Sequence, residues 1–118
     1  MIAFILRTLS WISLTVIVLL TLVPSELRPI TILAHNTEHF GIFFITGALF
    51  MFAYQIRLGL FLIVAIIVCG FLELLQVYIP GRHARLTDAV VDAMSACIGI
   101  AFAWVVLRLQ QKKKNADK

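Results

Sequence analysis

The residues whose types could support acid–base chemistry or anion binding are few and occur in three short stretches. Glu73 and Gln76 stand three positions apart at the end of an apolar run, and Asp88 and Asp92 stand four apart at the start of another. Spacings of three and four place side chains on one face of a helix. The other candidates are Glu38, His39, Arg82 and Arg85. If the helices that carry them form a compact bundle, these side chains converge near one membrane surface.

From these residues we predict a polar site that handles protons and an anionic group. Glu73 and His39 are the candidates for proton exchange, and hence for any catalytic role. Arg82 and Arg85 are the candidates for binding phosphate or carboxylate, because the planar guanidinium matches both groups. The remaining predicted ligand-binding residues are Gln76, Asp88 and Asp92, with Gln76 and Asp88 orienting their neighbours.

Structural interpretations of the same residues remain open. Asp88 could cap the fourth helix and pair with Arg82 or Arg85, since a carboxylate at a helix start accepts backbone N–H groups. Glu73 could be held by Gln76 or an arginine only to orient two helices. A carboxylate inside a membrane costs about 2.5–3.5 kcal/mol on insertion scales, so we favour a functional role for Glu73.

One stretch matches a zinc-binding pattern. Residues 35–39 read His-Asn-Thr-Glu-His, the H-x-x-E-H arrangement in which two histidines bind zinc and the glutamate acts as a base. The segment follows a proline-containing loop at a membrane surface rather than lying within a folded protease. We therefore predict no metal and no cofactor, and keep a site of His35, Glu38 and His39 as the lesser alternative, with Glu73 as a conceivable further ligand.

The elements that must position these residues are set by composition. The 118 residues are 62% apolar and 14% charged, with mean hydropathy +1.03. A soluble domain of this length could not hide so much apolar surface from water, so the chain is expected to be a single membrane domain. Nucleic-acid binding is also excluded, because four of the ten basic residues are lysines in the last seven positions.

Charge spacing divides the chain into four crossings. No charged residue lies between Arg7 and Glu26 or between His39 and Arg57, and only Glu73 and Asp92 interrupt the two later apolar runs. A crossing needs about 20 predominantly apolar residues. The first run lacks a signal-peptide cleavage site. We predict an all-α bundle of four transmembrane helices at about residues 4–23, 40–56, 58–79 and 88–107, followed by a basic tail at 108–118.

Basic residues predict the orientation of the bundle. Seven lysines and arginines fall on the side with both termini and the middle loop, and three fall on the other side. The positive-inside rule then places both termini in the cytoplasm and the polar site at the outer face of the cytoplasmic membrane.

A longer pattern connects these residues to a known family. Glu73, Gln76, Pro80 and Arg82 stand as Glu-x-x-Gln-x-x-x-Pro-x-Arg, and Asp88 follows at the start of the next helix. A histidine and an aromatic residue open the second helix, and a Leu-x-Pro ends the first. Together they resemble the VanZ-like family of small bacterial membrane proteins over essentially the whole chain.

The resemblance implies four short helices and a role in the cell envelope. The family is named for a protein associated with tolerance of the glycopeptide antibiotic teicoplanin, and the resemblance implies no defined reaction. Three positions depart from the family pattern. Members commonly carry Asp-Lys where this chain has His35 and Asn36, Asn where it has Asp92, and Gly where it has Ser95.

The leading hypothesis is a VanZ-like integral membrane protein whose outward-facing polar pocket binds an envelope molecule that is lipid-linked or bears phosphate. One alternative is a small proton-coupled transporter, although the first helix lacks the acid that small multidrug transporters carry there. Another is a membrane-embedded hydrolase or transferase acting on a lipid-linked substrate, so whether the protein is an enzyme stays open. Membrane lipids are expected partners, and the oligomeric state is open, a homo-oligomer included.

Overall fold

The computed structural model describes residues 1–27 and 35–118, apart from the side chains of Ser25, His35 and Asn36. These residues form four α-helices, a single 3₁₀ turn at Ser25–Leu27 and no strand. The helices are α1 (Ile2–Leu22), α2 (His35–Tyr54), α3 (Leu58–Gln76) and α4 (Leu86–Ala116). All four are long and apolar enough to cross a membrane. The prediction of an all-helical chain with four helices able to cross a membrane is confirmed.

The helix ends differ from the predicted limits for local reasons. α3 ends at Gln76 instead of residue 79, and the backbone then tightens into i to i+3 hydrogen bonds from Val77 to Leu74 and from Tyr78 to Leu75. Pro80 disfavours the helical conformation in the residue before it. α4 continues past residue 107 to Ala116, because its last turns hold good helix formers and two lysines that favour a helix C-terminus.

α2 also begins earlier than predicted, at His35 rather than residue 40. Glu38 and His39 therefore lie within its first turns instead of preceding it. Arg28, which entered the charge count for orientation, lies outside the described residues.

The helices run alternately up and down. Trp11 of α1 donates a hydrogen bond to the hydroxyl of Tyr54 at the far end of α2, which makes α1 and α2 antiparallel. His39 contacts Asp92, and both lie in the early turns of their helices, so α2 and α4 are parallel. The end of the bundle that holds both chain termini and the α2–α3 connection is called the terminal end. The opposite end, with the α3–α4 loop, is called the polar end.

α2 and α4 form the most extensive helix pair in the described part of the chain, whereas α1 and α3 contact each other little. Glycine permits this close approach at two positions. A Cβ on Gly47 would collide with the backbone of Ala96, and a Cβ on Gly99 would collide with the backbone of Phe44. Gly41, by contrast, faces open space. The parallel α2–α4 pair is thus fixed backbone against backbone, which is typical of helix packing in membranes.

The outer surface of the bundle is apolar, as expected for a protein dissolved in lipid. Met51, Ile100 and Ala103 are almost fully buried between the helices, and large apolar side chains such as Phe71 and Phe102 face outward as well. Three buried hydroxyls, those of Ser10, Thr46 and Ser95, donate to carbonyl oxygens one turn earlier in their own helices. Polar groups therefore have a sheltered interior in which to lie, away from the acyl chains.

Candidate functional site

The predicted site residues lie together at the polar end of the bundle. Glu73, Gln76 and Asp92 are buried, with 6%, 7% and 5% of their surface exposed. Glu73 interacts electrostatically with Asp88, Asp92 and His39, so α2, α3 and α4 bring these groups close. We call this group the polar cluster, and it consists of His39, Glu73, Gln76, Arg82, Asp88 and Asp92.

His39 and Asp92 form a direct pair between α2 and α4. The imidazole Nδ1 lies 2.9 Å from Oδ1 of Asp92, and the two side chains are 12% and 6% exposed. The carboxylate accepts, so Nδ1 carries the hydrogen. The ring also stacks on Phe43, with centroids 6.0 Å apart. A buried imidazole held by a carboxylate has a defined orientation and can take up or release a proton.

Glu73 has a partner that the sequence does not indicate. Its Oε1 accepts a hydrogen bond from the backbone N–H of Arg85, the residue that precedes α4. The carboxylate of α3 therefore closes the α3–α4 loop and places negative charge beside the N-terminus of α4, where the helix dipole favours it.

The cap considered for Asp88 is not formed in the described part of the chain. Arg85 occupies the N-cap position of α4 without a capping side chain, and Asp88 lies in the first turn. Within the described chain, no ion pair joins Arg85 to Asp88. Asp88 thus favours the helix start through its charge alone, and the side chain of Arg85 remains exposed at the surface of the polar end.

Arg82 connects the α3–α4 loop to α1. Its Nη2 donates a 2.8 Å hydrogen bond to the carbonyl oxygen of Leu20, in the last turn of α1. The last carbonyl groups of a helix have no partner within it, so a guanidinium is a suitable donor there. Gly81, with φ of 77°, supplies the left-handed backbone that turns the chain toward α1 after Pro80.

Glu38 contributes an unsatisfied polar atom near the start of α2. Its Oε1 is buried and has no hydrogen-bond partner among the residues described. Buried carboxylate oxygens are normally satisfied, and an exception of this kind is expected where a proton or a ligand group completes the site.

The zinc alternative stays a hypothesis. The described side chains contain no group of three histidines, cysteines or acids arranged to hold a metal ion. The side chain of His35, which the H-x-x-E-H pattern requires, lies outside them. Of the other two residues in that pattern, His39 directs Nδ1 to Asp92.

Sequence reasoning missed a polar contact between α1 and α2. The hydroxyls of Ser13 and Thr46 are hydrogen-bonded to each other, and Ser10 and Thr21 are buried on the same helix, α1. Serine and threonine at positions 10, 13 and 21 recur at helical spacing, a signal that the apolar count hides. The Ser13–Thr46 bond joins α1 to α2.

The polar cluster therefore combines three chemical capacities. An imidazole–carboxylate pair can exchange a proton, a second carboxylate is held by a backbone donor, and the α3–α4 loop beside them carries two guanidinium groups. No protein-family model, no curated protein and no solved structure matches this chain.

Proposed function

We propose that this chain is a VanZ-like protein of the bacterial cytoplasmic membrane whose polar cluster binds the phosphate of a lipid-linked envelope molecule. Both termini lie in the cytoplasm and the polar end faces outward. Arg82 and Arg85 contact the phosphate, while Glu73 and His39 exchange its proton. Such binding is consistent with a role in the cell envelope and in tolerance of teicoplanin-type antibiotics.

One observation carries this proposal: three helices that are otherwise apolar bury Glu73, Asp92 and His39 at one end, beside two arginines. Each buried ionisable group is costly in a membrane, and such groups normally mark a functional pathway or site. The arginine of the loop that is not used in packing, Arg85, is the one exposed to an incoming ligand.

The distribution of charge favours binding over proton-coupled transport. Below the polar cluster, no charged residue occurs in the chain between residues 40 and 56, or between 93 and 107. A proton pathway through a bundle is normally built from a chain of ionisable groups across its thickness. Here these groups are confined to one end, which suits a ligand that approaches from one side.

The proposed orientation predicts a labelling pattern. In a background with Cys69→Ala and Cys97→Ala, a single cysteine is introduced at exposed His83 or at exposed Lys114. A membrane-impermeant maleimide added to intact cells is expected to label H83C and to leave K114C unlabelled until the cells are opened. The reverse pattern would place the polar end in the cytoplasm and contradict the proposal.

Ligand binding is tested with Arg85, because its side chain can be changed without removing a contact seen in the structure. We expect purified protein to bind a polyprenyl phosphate at least tenfold more tightly than the matching polyprenol. Arg85→Gln should weaken phosphate binding about tenfold, the lower end of the 1.5–3 kcal/mol range for hydrogen bonds to charged groups. Native mass spectrometry across a ligand titration measures both ratios.

The matched control for this test is Arg7→Gln, which removes the same charge from an exposed side chain at the terminal end. It is expected to leave polyprenyl phosphate binding unchanged. Equal affinity for the alcohol and the phosphate would refute the phosphate site. A loss of binding with Arg7→Gln but not with Arg85→Gln would move the site away from the polar cluster.

A further inference from the structure

The terminal end contains a second polar concavity, unrelated to the polar cluster. A pocket of about 460 Å³ lies between the α2–α3 connection and α4. Its floor is apolar, with Met51, Leu58 and Leu107, and its rim is polar. We call it the basic pocket, and its polar lining consists of Gln55, Arg57, Arg108 and Gln111, with Trp104 beside them.

The two arginines of the basic pocket are not neutralised by the protein. Of the six acidic residues, only Asp117 follows the start of the basic tail, and the other five lie toward the polar end. No ion pair to Arg57 or Arg108 is formed by any residue that the structure describes. Two unpaired guanidinium groups on one pocket create a positive potential that favours an anion.

Arg108 is also held in position. Its guanidinium lies over the ring of Trp104, with Cζ 5.1 Å from the ring centroid. The contact with the ring limits the rotamers that Arg108 can adopt. A guanidinium can bind phosphate oxygens in pairs, so Trp104 restrains a suitable phosphate donor.

The backbone at the pocket rim has an unusual conformation at Gln55. Gln55 follows α2 with φ of 49°, a left-handed conformation that normally favours glycine. Arg57 stands at the N-cap of α3 and makes no side-chain cap. Strained backbone of this kind is concentrated at binding sites, where the surroundings hold it in place.

The position of the pocket identifies the kind of anion. Arg108 follows Asp88 by twenty residues of one helix, about 30 Å at 1.5 Å per residue, which is the thickness of the hydrocarbon layer. The pocket thus lies at the level of the lipid head groups on the face opposite the polar cluster. Its apolar floor adjoins the acyl region, a feature that a soluble phosphate compound would not use.

We infer that the basic pocket binds the glycerophosphate head group of an anionic phospholipid. Arg57 and Arg108 contact the phosphate, and Gln55 and Gln111 hydrogen-bond its ester or glycerol oxygens. Trp104, an aromatic residue of the interface, lies against the start of the acyl chains.

The test uses Trp104 as its own reporter. Because the chain has two tryptophans, Trp11→Phe leaves a protein whose fluorescence comes from Trp104 alone. The Trp11→Phe protein, called the parent, is reconstituted in phosphatidylcholine vesicles. These contain, as the quencher, either brominated phosphatidylglycerol or brominated phosphatidylcholine. Both leaflets have the same composition, so the direction of insertion does not affect the result. Quenching against mole fraction yields the association constant of each lipid relative to the bulk.

Brominated phosphatidylglycerol is expected to bind several-fold more strongly than brominated phosphatidylcholine. Arg57→Gln should reduce this preference about fivefold, as expected for one basic group near an anionic lipid. It leaves the Arg108–Trp104 contact intact. The matched control is Arg7→Gln, which removes an exposed arginine that lies at the same end, 5.2 Å from the ring of Tyr54, and does not line the pocket.

Three outcomes would overturn the inference. Equal quenching by the two lipids in the parent would mean that no head group is selected. An equal loss of preference in Arg7→Gln and Arg57→Gln would mean that only the general charge of the terminal end matters. Abolition of the preference by millimolar glycerol 1-phosphate would identify a soluble phosphate compound as the occupant. Persistence of the preference in its presence supports the lipid.

Discussion

Gly99→Ala is expected to lower the free energy of unfolding by about 1–3 kcal/mol, the cost of inserting volume into a tightly packed interface. The added methyl would collide with the carbonyl group of Phe44, which belongs to the backbone of α2. Backbone cannot rotate aside as a side chain does, so α2 and α4 must separate along their most extensive interface. Equilibrium unfolding in mixed micelles with increasing sodium dodecyl sulfate measures the change.

The chain offers a matched control for this substitution. Gly41→Ala adds the same methyl to α2 where no atom lies within 4 Å. Alanine is the better helix former, by about 0.5–1 kcal/mol, so Gly41→Ala is expected to leave stability unchanged or to raise it slightly. If Gly41→Ala and Gly99→Ala were equally stable, the close α2–α4 approach would be refuted.

The contrast between these glycines shows what sequence can and cannot predict here. Four crossings follow from the spacing of charged residues, because lipid excludes charge wherever a helix lies. Small residues in the same helices indicate close packing only in general. Gly41 and Gly47 are six positions apart and occupy different faces of α2, and only the position of α4 decides that Gly47 is the one in contact.

The polar cluster is likewise predictable only in part. The sequence predicts which residues belong to it, since Glu73, Gln76, Asp88 and Asp92 had to share helix faces near one end. The sequence does not predict which of these residues bond to each other. His39 and Asp92 are far apart in sequence and meet because α2 and α4 are parallel neighbours. Glu73 binds a backbone N–H group, a partner that every residue offers and that no side-chain pattern identifies.

The pairings also change how substitutions in the cluster should be designed. Arg82 binds Leu20 of α1, so its replacement alters packing as well as any ligand contact. Arg85 carries its loop contact through the backbone, so its side chain can be replaced with the loop bond intact. Glu73→Gln retains an oxygen acceptor for that N–H group while it removes the charge. Structural and chemical roles are thereby separable residue by residue.

The His39–Asp92 pair is expected to contribute about 1–2 kcal/mol to stability. Breaking a buried ion pair in a soluble core costs about 3–5 kcal/mol, because one charge is left unpaired. Hydrogen bonds between membrane helices are worth less, about 0.6 kcal/mol on average and 1.7 at most, because the unfolded chain finds other partners. We therefore expect Asp92→Leu to lower the free energy of unfolding by about 1–2 kcal/mol.

Asp92→Asn distinguishes the hydrogen bond from the charge. The amide oxygen of asparagine can accept from Nδ1 of His39 as the carboxylate does, so this variant is expected to lose less than half as much stability. A double-mutant cycle with His39→Phe, which keeps an aromatic ring against Phe43, should yield a coupling energy near 1 kcal/mol. Additive single effects would mean that the pair is not coupled. Equal destabilisation by Asp92→Asn and Asp92→Leu would mean that the charge, rather than the hydrogen bond, holds α2 to α4.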